Sequence, residues 1–274
     1  MPVYVTATPP PPLDRFIANL WYWEGEAPGH AKDTIMASGR MALLVNLKND
    51  RLSWYGGERF AECNKLKGIA LCGTHSAAFA INAHQPHMMG AQFRAGGAFP
   101  FFKPASGDFE NAHLSLEDIW QPAEAERLYQ RLVQAPTPDD KFEILQSALI
   151  AAAPREFAHH PVVADALPRM AHAPHRVSVA SLATDAGVSH KRFIKLFTDA
   201  VGFTPKLYLR VTRFQRVIAR IHEMPEVDWG DVVEHHGYFD QSHFIRDFRQ
   251  FSGLTPTDYL IRRGPFLQHV PLAE

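Results

Sequence analysis

Short apolar and β-branched runs alternate with glycine-rich breaks from the start of the chain to about residue 110. Such runs, bounded by turn residues, predict strands around Thr34–Leu47, Leu52–Tyr55, Gly68–Cys72, Ala77–Ile81 and Met88–Phe93. The breaks carry Gly56-Gly57, Gly73, Gly90 and Gly96-Gly97. Several short strands at this spacing predict an antiparallel β barrel or sandwich.

From Ser115 the pattern becomes helical. One helix is predicted over Glu124–Val133, and a second begins at Thr137. Thr137 is a suitable N-cap, and the Pro-Asp-Asp that follows suits the first turn of a helix, where acids face the positive end of the dipole. The proline-rich stretch Pro154–Pro174 interrupts the periodicity and is predicted to be a linker.

The last hundred or so residues contain an internal duplication. Gly187 and Gly237 correspond at an offset of 50, and after one inserted residue Phe193 and Phe244 correspond at 51. The offset of 51 then continues from Gly202-Phe203-Thr204-Pro205 to Gly253-Leu254-Thr255-Pro256. Chance does not keep so many identical residue types in register, so we expect two copies of one structural unit.

Each copy is predicted to be helix, tight turn, helix. In the first copy Ser178 and Ser189 cap the two helices, and Gly187 supplies the positive φ of the turn. Ala183 lets the helices approach and Phe193 fills their crossing, which is helix-turn-helix spacing. In the second copy the equivalents of Ala183, Gly187 and Phe193 are Val233, Gly237 and Phe244, with Asp228 and Asp231 as a capping box.

A long helix is predicted from Thr204-Pro205 to about Ile221, joining the two units at a fixed spacing. Its apolar stripe is Leu207, Val211, Phe214, Ile218 and Ile221. Its other face carries Arg210, Arg213, Arg216 and Arg220. These arginines either form salt bridges to nearby acids or, for one or two of them, contact phosphate.

Composition supports two folded domains. The chain has 274 residues, 46% of them hydrophobic and 21% charged, and a net charge of −1. Residues 1–165 carry a net −4 and residues 166–274 a net +3, so we expect the boundary there. The first residues lack a secretion-signal pattern, no apolar run could span a bilayer, and two cysteines cannot build a disulfide framework. A cytoplasmic protein without membrane contact is expected.

The duplicated region resembles the arabinose-regulator (AraC/XylS) type of bacterial transcription factor. The residues that carry the resemblance are Leu182-Ala183, Gly187-Val188-Ser189, Phe193, Lys195-Leu196-Phe197, Gly202-Phe203-Thr204-Pro205, Tyr208, Arg213, Gly237-Tyr238, Asp240-Gln241-Ser242, Phe244, Phe248 and Gly253-Leu254-Thr255-Pro256. Val233 and His236 depart from the family's usual residues. The N-terminal half resembles this family's sensor domains less specifically, through Pro12-Leu13, Tyr22-Trp23, Leu44–Leu47 and Phe93–Ala98.

The resemblance implies an α+β protein with two domains. Residues 1–165 would form a cupin-like β barrel or sandwich, with flanking helices from about 115, that senses a ligand or mediates association. Residues 166–274 would form an all-α domain with two helix-turn-helix units on a long linker helix. The protein would be a sequence-specific transcription regulator rather than an enzyme. The alternative is a metal-dependent, cupin-like enzyme domain fused to a DNA-binding module.

The second helix of each unit would enter a major groove, in successive segments of double-stranded operator DNA about 34 Å apart. Its outward side chains would contact DNA: Lys191, Arg192, Ile194, Lys195 and Thr198 in the first unit, and Gln241, Ser242, Ile245, Arg246 and Arg249 in the second. Gln241 suits adenine, Arg246 and the two lysines suit guanine or phosphate, and Ile194 suits a thymine methyl group.

The effector site is less defined. An unknown small molecule would bind an apolar pocket for which the aromatic candidates are Trp21, Trp23, Trp54, Tyr55, Phe93 and Phe99. The spacing of His75, His84, His87 and His113 lacks the clustered pattern of a cupin metal site, so no metal, cofactor or catalytic residue is predicted. Redox sensing through a Cys63–Cys72 disulfide stays open as an alternative. RNA polymerase and a second copy of the chain stay open as partners.

Overall fold

The computed structural model describes residues 2–26, 28–102, 106–153 and 158–272. The strands are β1 Val3–Ala7, β2 Ile17–Glu24, β3 Lys32–Ile35, β4 Ala42–Asn46, β5 Arg51–Gly56, β6 Glu62–Lys67, β7 Ile69–Cys72, β8 Phe79–Asn82, β9 His87–Phe93, β10 His113–Ser115 and β11 His269–Pro271. The helices are α1 Pro122–Gln134, α2 Pro138–Ala152, α3 Pro161–His172, α4 Val179–Asp185, α5 His190–Val201, α6 Pro205–Ile221, α7 Trp229–His235, α8 Gln241–Ser252 and α9 Pro256–Arg262.

The strands form two antiparallel sheets. Within the described residues the first sheet has the order β1-β2-β9-β4-β7-β10, and the second has the order β11-β3-β8-β5-β6. The sheets do not close on each other, so the barrel alternative is wrong and the antiparallel β prediction is confirmed. The prediction missed β1, β6, β10 and β11, which are short or polar and lie at sheet edges, and also the internal strand β2. It treated β3 and β4, which belong to different sheets, as one run.

Alternation along the strands places the two layers of the N-terminal domain. In β7, Ile69 and Leu71 face α1 and α2 in one apolar core, whereas Ala70 packs with Leu52 and Met88 between the sheets. Trp21 joins this inter-sheet layer. Its ring occupies the space above Gly90, where an added Cβ would lie 2.8 Å from the indole.

Helices α2, α4, α5 and α6 begin where the local sequence predicts. Thr137 caps α2 in a full capping box with Asp140. Ser178 and Ser189 cap α4 and α5 as expected, and α6 runs from Pro205 to Ile221. The expected Asp228–Asp231 capping box is wrong in one half: Asp228 accepts from the Gly230 and Asp231 amides, but the Asp231 carboxylate binds Arg220 instead.

The C-terminal region has its own core, which extends into the N-terminal sheets. Met36 and Ala37 are buried with α5, α6 and α8, and the Ala37 amide donates to the Phe251 carbonyl at 2.9 Å. After α9 the chain adds β11 to the second sheet, pairing with β3. The all-α prediction is therefore wrong for this last segment, because a backbone pairing with a distant strand leaves no periodic signal in three residues.

Helix α3 lies inside the stretch predicted to be a linker. Its buried residues, Val163, Ala166 and Met170, all belong to the C-terminal core. The helix spans the 165/166 boundary predicted from charge, which stays a prediction. The part of the predicted linker at residues 154–157 lies outside the described residues.

Candidate nucleic-acid interface

The two helix-turn-helix units form equivalent backbone hydrogen bonds at the turn. The Val188 amide donates to the Ala183 carbonyl at 3.1 Å, and the Tyr238 amide donates to the Val233 carbonyl at 3.0 Å. The glycine between each pair has positive φ, +65° at Gly187. Val233 thus corresponds to Ala183 in the backbone hydrogen bonding of the turn, although the buried valine of α7 is Val232.

The second helices begin and end alike. Ser189 accepts from the Arg192 amide and Asp240 from the His243 amide, so each caps the helix that follows. Gly202 and Gly253 end these helices in the left-handed conformation. The duplication read from the sequence is therefore a structural duplication.

Polar contacts hold α6 firmly against the second unit. Arg210 donates to the Asp247 carboxylate at 2.6 Å and to the Gln250 side chain at 2.7 Å. Near its other end, Arg220 forms an ion pair with Asp231 of α7 at 2.6 Å. Arg263 donates to the carbonyl of Ile221 at 2.6 Å, at the end of the helix. These contacts fix the position of α8 relative to α6.

Two of the four arginines on α6 therefore form salt bridges, as one alternative predicted. Arg213 lies over the Tyr238 ring at 5.0 Å, with its Nε buried and unpaired among the described residues. Arg216 is exposed and lines a cleft of about 790 Å³ between α6, α7 and the turn after α3. Three further arginines and two acids line the same cleft, so its wall carries more basic than acidic groups: Arg176, Arg213, Arg220, Asp231 and Glu234.

Most of the predicted DNA contacts lie on the open face of α5 or α8. Those fully exposed are Lys191, Arg192, Lys195, Gln241, Ser242, Arg246 and Arg249. Ile194 and Ile245 are half-buried at the edges of the apolar stripes. Lys195 forms an ion pair with Asp199 one turn later at 2.9 Å, so a base or phosphate would have to compete with that carboxylate.

Thr198 departs from this pattern. Its Oγ1 is buried without a partner among the described residues, and its backbone and methyl group pack on Gly107 of the N-terminal domain. A Cβ added at Gly107 would lie 3.1 Å from the Thr198 methyl carbon. In this arrangement Thr198 faces the N-terminal domain and not an open groove, because the short helix Ser106–Phe109 covers that end of α5.

Sequence reasoning missed Phe239, which is the residue inserted in the second copy. Its side chain is 91% exposed, directly before the N-cap of α8 and next to Gln241. The sequence signal that marks this insertion is the change of the offset between the two copies from 50 to 51. A large apolar side chain that is exposed at the start of α8 is suited to contact with a sugar or a thymine methyl group.

The six aromatic residues predicted to line an effector pocket are not brought together. Phe93 is fully buried in the core against α1 and α2, whereas Phe99 packs on the C-terminal core. Tyr55 lies under the Lys32 ammonium, 3.8 Å from the ring centre. Trp21, Trp23 and Trp54 share the space between the two sheets.

Trp54 lies against a cluster that the sequence did not predict. Its ring stacks on His113 at 4.5 Å, and His113 in turn lies beside His75 and Cys72. Burial lowers the pKa of His75 to about 4, and burial together with the His75 charge lowers the pKa of His113 to about 3. Burial also raises the pKa of the Cys72 thiol to about 12. Without a ligand the three groups are uncharged at neutral pH.

Comparison with known protein families gives one match in each region of the chain. Residues 182–262 match the model of a helix-turn-helix domain, and residues 5–115 match a domain of unknown function, DUF6597. The helix-turn-helix domain is of the AraC type, so the family resemblance of this region is confirmed. The fold and the match together define a DNA-binding domain of transcription regulators. A search of curated proteins finds no match.

Solved structures give distant likenesses. ToxT from Vibrio cholerae O395 is 9% identical, covers 94% of this chain and 97% of its own, and has a TM-score of 0.43. A structure of that protein bound to (E)-4-(8-methylnaphthalen-1-yl)but-3-enoic acid gives 9% identity, coverage of 94% and 98%, and a TM-score of 0.44. The C-terminal domain of AraT from Geobacillus stearothermophilus is 20% identical over 37% of this chain and 85% of its own, with a TM-score of 0.34.

Within the part of the chain that the structure describes, no helix combines the length and the apolar character needed to cross a bilayer.

Proposed function

We propose that the protein is a transcription regulator that reads two successive major-groove segments of an operator with α5 and α8. The observation that carries this proposal is the pair of capped helix-turn-helix units, joined by α6 and each presenting exposed basic side chains. A helix of this type fits a major groove about 12 Å wide. The rigid connection through α6 sets the half-site spacing, and some bending of the DNA would accommodate it.

Side chains on the two helices would differ in what they read. Arg246 has no ion pair within the described part of the chain, so its guanidinium is available for a bidentate contact to guanine. Gln241 is placed at the start of α8, where it suits adenine. Lys195 would exchange Asp199 for a base or phosphate, which lowers its net contribution. Arg216, exposed in the cleft beside α7, would contact a backbone phosphate.

The N-terminal domain would sense a small-molecule effector or mediate association. The contacts of Thr198 with Gly107, of Ala37 with Phe251 and of β11 with β3 connect it directly to the DNA-binding units. An effector that binds differently to two arrangements of these contacts would change DNA affinity. A second copy of the chain and RNA polymerase remain proposed partners. The enzyme alternative assumed a cupin-like barrel, and the two open sheets give it no specific support.

The test begins with genomic DNA fragments captured by the purified full chain and sequenced. On a captured fragment, Arg246→Ala and Lys195→Ala should each weaken binding by about 1–3 kcal/mol if they read bases, with Lys195→Ala nearer the lower end. Arg127→Ala is the matched control, because Arg127 is an exposed arginine on α1 in the other domain. Affinity unchanged in both variants, or lost equally in the control, would refute the assignment.

A further inference from the structure

Three side chains that can bind a metal ion converge between the two sheets. One nitrogen of His75, one nitrogen of His113 and the Cys72 Sγ all lie within 4.8 Å of one another. Ligand atoms bound to one ion at 2.0–2.3 Å lie about 3.3–3.8 Å apart in a tetrahedron. The most widely separated pair therefore needs to approach by no more than about 1.5 Å to hold an ion.

The sheet register brings two of these groups together. His113 and Cys72 are directly opposed on β10 and β7, so their side chains leave the same face of the sheet. The Cys72 Sγ lies 3.3 Å from the His113 Nε2. This pairing joins two residues that are 41 positions apart in the sequence.

The third group is placed by a tightly held loop. A Cβ at Gly73 would lie 1.8 Å from the Phe109 carbonyl oxygen, so the chain passes there only as glycine. The Gly73 amide donates to the Ala112 carbonyl at 2.9 Å, and the Asn111 amide donates to the Thr74 carbonyl at 2.7 Å. These bonds hold His75 beside the cross-strand pair before any ligand arrives.

The surroundings leave polar atoms without partners. Among the described residues, the His75 Nε2 and the His113 Nδ1 are buried and form no hydrogen bond. A buried polar group without a partner is destabilising. Aromatic rings close the site: Trp54 stacks on His113, and Phe79 lies 4.3 Å from His75. On His75 a bound ion would use a nitrogen that the protein itself leaves unpaired, whereas on His113 the nitrogen beside the thiol is Nε2, already in contact with the Cys72 Sγ.

We propose that Cys72, His75 and His113 bind one transition-metal ion that prefers sulfur and nitrogen ligands, Zn²⁺ or Cu⁺. A thiolate with two imidazoles suits these ions and not Mg²⁺ or Ca²⁺, which take oxygen ligands. On binding, the Cys72 S–H bond is replaced by a sulfur–metal bond and the proton leaves to solvent, with no change of oxidation state. The sequence predicted no metal site, because these residues follow no recognised spacing.

The first experiment uses the full chain stripped of metal and titrated with Co²⁺, Zn²⁺ and, without oxygen, Cu⁺. We expect one ion per chain and, with Co²⁺, a sulfur-to-metal charge-transfer band with tetrahedral ligand-field absorption. Cys63→Ser is the decisive variant, since it leaves Cys72 as the remaining one of two cysteines and leaves the site intact. The band must persist in Cys63→Ser. No stoichiometric ion of the three, or no thiolate band in this variant, overturns the proposal.

Ligand variants test the assignment further. Cys72→Ser and His113→Gln should each weaken Zn²⁺ binding by about 100-fold or more, because changes even in groups that only support a ligand cost 10- to 100-fold. His84→Gln is the control, since His84 is an exposed histidine outside the cluster. Near-ultraviolet circular dichroism shows whether each variant folds, and the Cys63→Ser result stands if one does not. Zn²⁺ affinity within tenfold of the unmodified chain in a folded Cys72→Ser overturns the proposal.

The site is connected to the first helix-turn-helix unit, and this extension rests on the proposed function. Thr74, between the ligands Cys72 and His75, donates its hydroxyl to the Gly202 carbonyl at the end of α5, at 3.2 Å. A contraction around an ion would move the loop that makes this contact. We therefore expect Zn²⁺ to change affinity for a captured DNA fragment at least threefold.

Thr74→Val tests the connection, since it removes the hydroxyl and keeps the shape and all three ligands. Metal binding should be retained in this variant and its effect on DNA should disappear. If Zn²⁺ binds the unmodified chain without changing DNA affinity, the coupling is refuted and the site stands. If the chain captures no specific DNA at all, the proposed function fails while the metal titration still decides the site.

Discussion

Removing Arg210 should cost more stability than removing Asp247, although both changes break the same ion pair. The Asp247 side chain is 1% exposed and the Arg210 side chain is 30% exposed. With Arg210 gone, the one remaining charged partner of the buried carboxylate among the described residues is the His243 Nε2 at 3.7 Å. With Asp247 gone, the guanidinium still reaches solvent and the Gln250 oxygen at 2.7 Å.

The magnitudes follow from what each change leaves behind. An uncompensated buried charge costs about 3–5 kcal/mol, so we expect Arg210→Met to lower the free energy of unfolding by about 3 kcal/mol. Methionine is used because it keeps an aliphatic stem over Phe251. Asp247→Ala should cost about 1–2 kcal/mol, the loss of one charge-assisted bond by a partly solvated group. The free energy of unfolding of the double variant should be close to that of Asp247→Ala, which corresponds to a coupling energy of roughly 2–3 kcal/mol between Arg210 and Asp247.

Trp229 makes the measurement specific to the second unit. It is the one tryptophan of five beyond residue 120, and its ring lies 5.7 Å from Phe244 of α8. Urea unfolding followed by fluorine resonance of 5-fluorotryptophan-labelled protein, with Trp229→Phe to assign the signal, reports this unit separately. Arg216→Ala, on the exposed face of the same helix, should change stability by less than about 0.5 kcal/mol. Equal or inverted costs for Arg210→Met and Asp247→Ala would refute the reasoning.

Three further outcomes follow from local geometry. Gly202→Ala should destabilise the protein by at least about 1–2 kcal/mol more than the repeat-matched Gly253→Ala. Both have positive φ, but an added Cβ lies 2.6 Å from the Thr74 hydroxyl in the first case and 3.7 Å from the nearest atom in the second; thermal unfolding of both variants compares them. Thr137→Ala should lower the free energy of unfolding by about 1 kcal/mol, because it removes the α2 capping box. Urea unfolding measures the change, and an unchanged free energy would contradict the role of the cap. Burial opposes ionisation of Asp33, but hydrogen bonds and charges from His269 and His30 outweigh it and hold the pKa of the carboxyl below 3.8. The pairing of β11 with β3 should therefore be firm above about pH 4 and weaken as the pH falls through the lowered pKa of folded Asp33. Hydrogen exchange of the β11 amides measures this, and the pH profile should be flatter in Asp33→Asn.

The helix-turn-helix units could be predicted from the sequence because their signals are local. An N-cap, a glycine that accepts positive φ and an apolar stripe each act within a few residues, and the repeat presented them twice. Ser189 and Gly187 have the roles that their residue types predict. The exposed basic residues of α5 and α8 follow from the same stripe, since residues opposite a buried face are left to solvent.

Contacts between distant segments were decided only by the tertiary structure. Nothing near Thr198 in the sequence shows that Gly107 will cover it, and β11 is too short to carry a pattern of its own. Cys72 and His113 meet because strand register aligns them, and His75 joins them because a loop turns at Gly73. Pairing free energies that depend on the whole sheet set that register, whereas helix caps and turns depend on neighbours along the chain. The sequence alone therefore determined the two helix-turn-helix units, and the tertiary structure decided what is packed against them and which side chains converge between the sheets.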